Sequence, residues 1–195
     1  MLWRPNEIGS ETRGRIVKAQ ERLETDRLVL RRPAISDAGA IFARYSNDPE
    51  VTRYLGWPRH TTVEETHAFL QFSDSDWRRW PAGPYLIESR STGELLGGTG
   101  LQFETPYRAA TGYVLARDAW GQGYATEALL AVVAVARNVE VRRLYAICLP
   151  DHVASQRVLE KCGFTREAML RRFAEFPNLR PGVVVDVLCY SLVFD

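Results

Sequence analysis

Gly112-Tyr113-Val114-Leu115-Ala116 leads directly into Arg117-Asp118-Ala119-Trp120-Gly121-Gln122-Gly123-Tyr124-Ala125-Thr126-Glu127, and then into the apolar run Ala128 to Ala136. The first five residues read as a strand. The last run reads as a helix that is hydrophobic on nearly every side, and such a helix has to be buried against a sheet. The turn between them holds two glycines separated by one residue. Small residues there let a backbone approach a phosphate closely, and the first amides of the helix lack intrahelical acceptors and sit at the positive end of its dipole. Tight turns and helix caps use glycine too, so the pair alone leaves both readings open. The Walker pattern GxxxxGK[ST] is absent, and this Gly-x-Gly does not continue to the third glycine of the GxGxxG dinucleotide fingerprint. A phosphate held here would be held by a different loop.

Upstream, Arg27 to Arg31 alternates polar and apolar residues as a strand does. Ser36 is expected to cap a helix with Ala38, Ile41, Phe42 and Tyr45 along one face, and Pro49 to Leu55 to form a second helix. Thr62 with Glu65 forms a capping box that opens a third helix ending near Trp80-Pro81. Strands then follow as an antiparallel run: Tyr85 to Glu88, a turn at Ser91 to Gly93, Leu95 to Phe103, and Thr111 to Ala116. Downstream of the apolar helix, Leu144 to Leu149 reads as a strand. The next helix turns Ala154, Val158, Leu159 and Cys162 inward and stops at Gly163. Two final strands, about Phe164 to Phe173 and Val183 to Val193, are joined by a long loop containing Pro177-Asn178-Leu179-Arg180-Pro181. Residues 1–23 read as a polar extension with a helix from Ser10, and residues 24–195 as one domain.

The 195 residues fit one globular domain, and 25 Lys plus Arg against 24 Asp plus Glu leave a net charge of +1. That balance, with the Arg pairs scattered along the chain, argues against a nucleic-acid footprint. The longest apolar stretch is far shorter than the roughly 20 residues that span a bilayer, and the N-terminus carries no signal-like apolar core. A cytoplasmic protein with no membrane partner is the expectation. Cys148, Cys162 and Cys189 are odd in number, widely spaced and set among apolar neighbours, which fits reduced core residues rather than a disulfide framework or a zinc site. No metal is expected.

With these residues in view, the chain resembles the GNAT superfamily of N-acetyltransferases, in particular its RimJ/RimL-like branch. Trp120-Gly121-Gln122-Gly123-Tyr124-Ala125 is similar to that family's pyrophosphate loop, R/Q-x-x-G-x-G/A. Pro150-Asp151-His152-Val153-Ala154-Ser155-Gln156-Arg157-Val158-Leu159-Glu160-Lys161-Cys162-Gly163-Phe164 resembles the branch signature N-x-x-S-x-R-V-x-E-K-x-G-F. Thr25-Asp26-Arg27-Leu28-Val29-Leu30-Arg31 matches its opening strand, so the likeness runs from about residue 23 to 194. The resemblance implies an α/β fold (α+β in some schemes): a mixed, mostly antiparallel central sheet of six or seven strands flanked by helices and splayed at the cofactor site. It implies acetyl-CoA as cosubstrate, its pantetheine arm bonding main-chain groups of Leu115, Ala116 and Arg117 as a pseudo-strand. Amides from Gly121, Gln122, Gly123, Tyr124, Ala125 and Thr126 would hold the pyrophosphate. The acceptor would be an amine, on a small molecule or a protein N-terminus, attacking the thioester directly. Homodimers are common in the branch.

Several positions depart from the family pattern. Trp120 replaces a polar residue and is expected to pack. His152 stands where the branch has Asn, and either donates to the cofactor arm or sits exposed. Ala110 occupies the place of the strand Glu that serves many relatives as base, so Glu175 is the leading carboxylate for that role, ahead of Asp186 and Glu104. Leu159 replaces the helix Tyr that protonates the thiolate elsewhere. Ser155, one turn earlier, either takes over as donor or satisfies helix-start amides. His60 and His67 read as surface or packing residues. Trp57, Phe69, Phe72, Trp77 and Trp80 either line an acceptor pocket or belong to the core. The leading reading is an acetyl-CoA-dependent amine N-acetyltransferase. The missing Glu and Tyr keep open a non-catalytic acyl-CoA-binding or sensing domain.

Overall fold

The computed structural model describes residues 17–195, and the helix expected from Ser10 falls largely outside that range. The described residues form one mixed sheet with helices on both faces. Its strands are β1 (Arg22–Glu24), β2 (Leu28–Arg31), β3 (Pro84–Ser89), β4 (Leu95–Thr105), β5 (Arg108–Leu115), β6 (Arg143–Cys148), β7 (Thr165–Glu175) and β8 (Val184–Val193). They lie in the order β1-β2-β3-β4-β5-β6-β8-β7. Eight strands exceed the six or seven expected. Part of the excess is β1, whose Arg22 and Leu23 belong to the stretch read as an extension but pair with Arg31 and Leu30.

Helices α1 (Ala38–Ile41), α2 (Pro49–Thr52) and α3 (Val63–Arg79) precede β3. α4 (Tyr124–Asn138) joins β5 to β6, and α5 (Val153–Lys161) joins β6 to β7. Ser36 does not cap α1. It lies inside a 3₁₀ turn, Ile35–Asp37, where the Asp37 carboxylate takes the Ala34 N–H at 2.7 Å. The expected stripe survives as buried Ala38, Ile41 and Tyr45, although α1 relaxes into a π-helical turn over Phe42–Ser46. α2 starts as expected, with Asp48 accepting from Glu50 N and Val51 N and Pro49 in its first turn, but it ends at Thr52 rather than Leu55. The Thr62/Glu65 box at α3 is present.

Alternate residues of β3 feed two cores. Leu86 joins Leu95 with Ala38, Ile41, Tyr45 and Leu70 on one face, while Tyr85 and Ile87 join Leu101, Leu129 and Val132 on the other. α4 buries Ala128, Leu129, Val132, Val133, Val135 and Ala136, as its all-round hydrophobicity requires. Truncating the fully buried Leu129 to Ala would cost about 2–5 kcal/mol. On α5, Leu159 and Cys162 are buried but Ala154, expected inward, is exposed.

β5 and β6 are the parallel neighbours in an otherwise antiparallel order, and a parallel pair needs a crossover, which α4 supplies. They pair only at Arg108↔Arg143, Ala109↔Leu144 and Ala110↔Tyr145. Beyond that, Thr111 to Leu115 stay paired to β4, and Ala146 to Cys148 stay paired to β8. Each strand is held by its outer neighbour, so their facing edges diverge. This is the splay expected in the sheet.

Candidate active site

The turn quoted at the outset stands just past the splayed end of β5. Gly121 has φ 74° and Gly123 φ 81°, the left-handed region that glycine adopts without steric cost. An added Cβ at Gly121 would meet nothing within 4 Å, so the turn is open on that side. Gly123 caps α4, and the first recorded helical bond there runs from Glu127 N to Gly123 O at 3.1 Å. Among the described residues, no backbone acceptor takes the amides of Gly121, Gln122, Gly123, Tyr124, Ala125 or Thr126. Six free N–H groups at a helix N-terminus form a cradle for an anion. A diphosphate fits this donor set.

Side chains from three other segments hold the turn in shape. Glu127, in the first turn of α4, accepts from Thr25 Oγ1 at 2.6 Å, Arg27 N at 2.9 Å and Arg27 Nε at 2.7 Å. Burial pulls the Glu127 carboxyl upward, but these hydrogen bonds outweigh it and hold the group below the ordinary glutamate value. Arg27 also donates to Gln122 O at 2.9 Å and lies 4.7 Å from the centre of the Tyr124 ring. Arg44 bridges Leu95 O and both Asp118 oxygens, and Arg117 donates to Asp48 at 2.7 Å. The Gln122 side chain is occupied with Asp118 O at 2.8 Å. Trp120 does not pack inside as expected. It is 48 % exposed, and its Nε1–H donates to Leu115 O at 2.8 Å, tying the turn to the strand end.

A cavity of about 790 Å³ occupies the divergence of β5 and β6 and spreads toward α2 and α3. Its β5 wall ends at Val114, so Leu115 to Thr126 lie beyond it in sequence. Ser155 lines it, and the Ser155 Oγ pairs with the Tyr113 hydroxyl at 2.9 Å rather than with helix-start amides; His152 is the N-terminal cap of α5. Burial raises the Tyr113 phenol above its ordinary value, so it remains a protonated donor. Burial also pushes the Cys148 thiol, beside Ser155 on the same wall, up to about 11. Cys148 is therefore a wall residue of the cavity as well as the reduced core residue expected.

His152 also lines the cavity, its ring stacked on Tyr54 at 4.3 Å and 15°. Glu175 reaches the wall from the end of β7 and takes the Gly182 N–H on one oxygen at 2.7 Å. Asp186 and Glu104 are not among the lining residues. Asp186 accepts from Arg172 N, and Glu104 is engaged by the Tyr145 hydroxyl and by Arg108. Of the aromatic candidates, Trp57, Phe69 and Phe72 line the cavity, whereas Trp77 is core and Trp80 stacks on Phe103 at 5.4 Å. His60 lines it too, with Nδ1 paired to Thr66 Oγ1 at 2.8 Å.

Two residues carry the site that the sequence did not single out. Tyr113 was read only as part of a strand. Asn178, noted as a loop residue, donates to Thr52 O and Trp57 O at 2.8 Å and accepts from Arg59 N at 2.7 Å. It fastens the loop after β7, with buried Phe176, onto the segment between α2 and α3. No helix among the described residues is long and apolar enough to cross a membrane.

Comparison with known proteins agrees with this geometry. The model of the Acetyltransferase (GNAT) domain family matches residues 27–165. YoaA, an uncharacterized N-acetyltransferase of Bacillus subtilis (strain 168), is 36% identical over 174 residues, 88% of this chain and 96% of its own. Among solved structures, RimL, a ribosomal L7/L12 alpha-N-protein acetyltransferase in complex with coenzyme A, superposes with a TM-score of 0.75 at 26% identity, covering 88% of this chain and 96% of that one. A GNAT-family acetyltransferase from Bacillus anthracis shares the fold with a TM-score of 0.76 at 22% identity, covering 88% of this chain and 98% of that one. The chain belongs to the GNAT acetyltransferases and is an acetyl-CoA-dependent N-acetyltransferase.

Proposed function

We propose that the chain acetylates a primary amine, on a protein N-terminus, an amino acid or a small molecule, by direct attack on acetyl-CoA in a ternary complex. The observation that carries this reading is the divergence of β5 and β6 after Ala110, where the Tyr113–Ser155 hydroxyl pair lies, with six unpartnered amides following just past the end of β5. In this reading the amides of Gly121 to Thr126 hold the diphosphate, and the main chain at and just past the end of β5, Leu115 to Arg117, which does not pair with β6, aligns the pantetheine arm as an added strand. In RimL, coenzyme A is joined to a cysteine by a disulfide. Here Cys148 stands on the cavity wall beside Ser155, which supports placing the sulfur end of the cosubstrate at that wall.

Ser155, with its proton replenished through Tyr113, then stabilises and protonates the departing thiolate. Glu175 turns a carboxylate toward an approaching ammonium. Trp57, Phe69 and Phe72 surround the acceptor, and the loop fastened by Asn178 borders the opening. Holding amine and thioester together in one cavity supplies much of the rate through orientation, and no covalent enzyme intermediate is required. The test is incubation with acetyl-CoA and a panel of peptides, amino acids and small amines, read as thiol release and as a mass gain of one acetyl group. Acetylation of a panel member is expected. Binding of coenzyme A with no acetylation of any amine would overturn the reading.

A further inference from the structure

Direct attack requires a free amine, yet an alkylammonium has an ordinary pKa of about 10, so a nearby group has to remove a proton. Position 110, on the strand wall of the cavity, is an alanine. Glu175 is exposed and shares one oxygen with Gly182 N–H, and the Nδ1 of His60 is engaged by Thr66. His152 differs from both. Its ring lies in the cavity, half-buried, with one face covered by Tyr54, and among the described residues no group hydrogen-bonds to either ring nitrogen. Its main-chain carbonyl accepts the Ser155 N–H at 3.0 Å, so the imidazole and the Ser155 hydroxyl issue from the same turn of α5.

We propose that His152 is the general base, taking one proton from the acceptor ammonium at the cavity wall beside Ser155. The inference rests on the acetyl-transfer reading above. The neutral imidazole accepts the proton and becomes imidazolium. The freed nitrogen lone pair then attacks the thioester carbonyl carbon, and the C–S bond breaks with its electron pair passing to sulfur. The thiolate takes the hydroxyl proton of Ser155, and the second ammonium proton, lost as the amide forms, makes that good. The imidazolium returns its proton to solvent.

The groups around the ring favour the neutral form at rest. Burial lowers the His152 pKa below its ordinary value of 6.5, with Asp151 pulling weakly the other way. Burial raises the Tyr113 phenol and the Cys148 thiol and lowers His60, and Glu65, Asp76 and Glu175 are the carboxylates lining the same cavity. A group so lowered is competent above its depressed pKa and fails as pH falls through it.

The experiment is kcat/KM for the amine against pH at saturating acetyl-CoA, for the wild type, His152→Asn, His152→Ala and Glu175→Gln. Asn is a favoured N-cap, so the first variant should keep α5 intact. We expect a wild-type acidic limb below pH 6.5. In His152→Asn that limb should vanish, with kcat about 100-fold lower and the KM for acetyl-CoA unchanged. Added imidazole should restore part of the activity of His152→Ala. An unmoved limb in His152→Asn, a limb abolished instead by Glu175→Gln, or a raised KM for acetyl-CoA with kcat intact would each overturn the assignment. A wild type that binds coenzyme A but acetylates no amine would overturn the parent reading itself, and this inference with it.

Discussion

The two halves of the site are built in opposite ways. The proposed anion cradle, Gly121 to Thr126, is one contiguous turn whose shape comes from two left-handed glycines and a helix start. The cavity proposed for the acceptor draws its walls from α3, β4, β5, β6, α5 and the loop after β7, segments as far apart in sequence as Phe69 and Phe176. The first half is a local property that distant side chains, Arg27, Arg44 and Asp48, hold in shape. The second exists only because distant segments meet. Substitutions in the cradle should therefore change cofactor affinity and leave acceptor choice alone, while substitutions in the assembled half should do the reverse.

The largest expected effect tests that division directly. In Gly123→Val a β-branched residue has to adopt φ 81°, at a strain of about 1–3 kcal/mol, and the displaced amides lose a similar amount. Coenzyme A binding by calorimetry should weaken about 100-fold. Unchanged affinity would mean that the turn is not the cradle. Next, Tyr113→Phe removes the partner of the Ser155 hydroxyl, and kcat should fall about 10-fold with the KM for acetyl-CoA unchanged. A change in KM alone would move Tyr113 to the cofactor half of the comparison.

Glu127→Gln weakens the clasp on Thr25 and Arg27, and the KM for acetyl-CoA should rise about fivefold at constant kcat, since the pair is partly exposed and only moderately strong. The same carboxylate links to stability. Its folded pKa lies below the unfolded value of 4.5, so its contribution is present above that pH and is lost as pH falls through the lowered value. An acid titration followed by circular dichroism should show Glu127→Gln less sensitive than the wild type over that window. The smallest effect is expected from Asn178→Ala, which frees the loop from α2. The melting temperature should fall by about 3 °C and the KM for the amine should rise about twofold, with acetyl-CoA kinetics unchanged.

What was legible in advance follows the same division. The α4 run, the Thr62/Glu65 box and the Gly121-Gln122-Gly123 turn each depend on neighbours within a few residues, and each formed close to where the spacing put it. Ser36 failed as a cap because Asp37, one residue on, accepts the Ala34 N–H. Ala154 was assigned inward by helical spacing alone, but α5 meets the sheet through Leu159 and Cys162 and leaves its first turn open. Trp120 was expected to pack where the family loop has a polar residue, whereas its indole N–H donates to Leu115 O. Tyr113 gave no signal at all. Its hydroxyl gains meaning only because Ser155, 42 residues later, is carried to it by α5.

The order of residues by itself determined a strand, a glycine turn and an apolar helix in immediate succession, and with them a helix start with free amides, because backbone dihedrals and helix-end amides are decided within a few residues. Only the tertiary structure decided that β5 and β6 part after Ala110, and that Tyr113, Cys148, His152, Ser155 and Glu175 line one cavity. Strand pairing and cavity walls are settled by which distant surfaces bury each other.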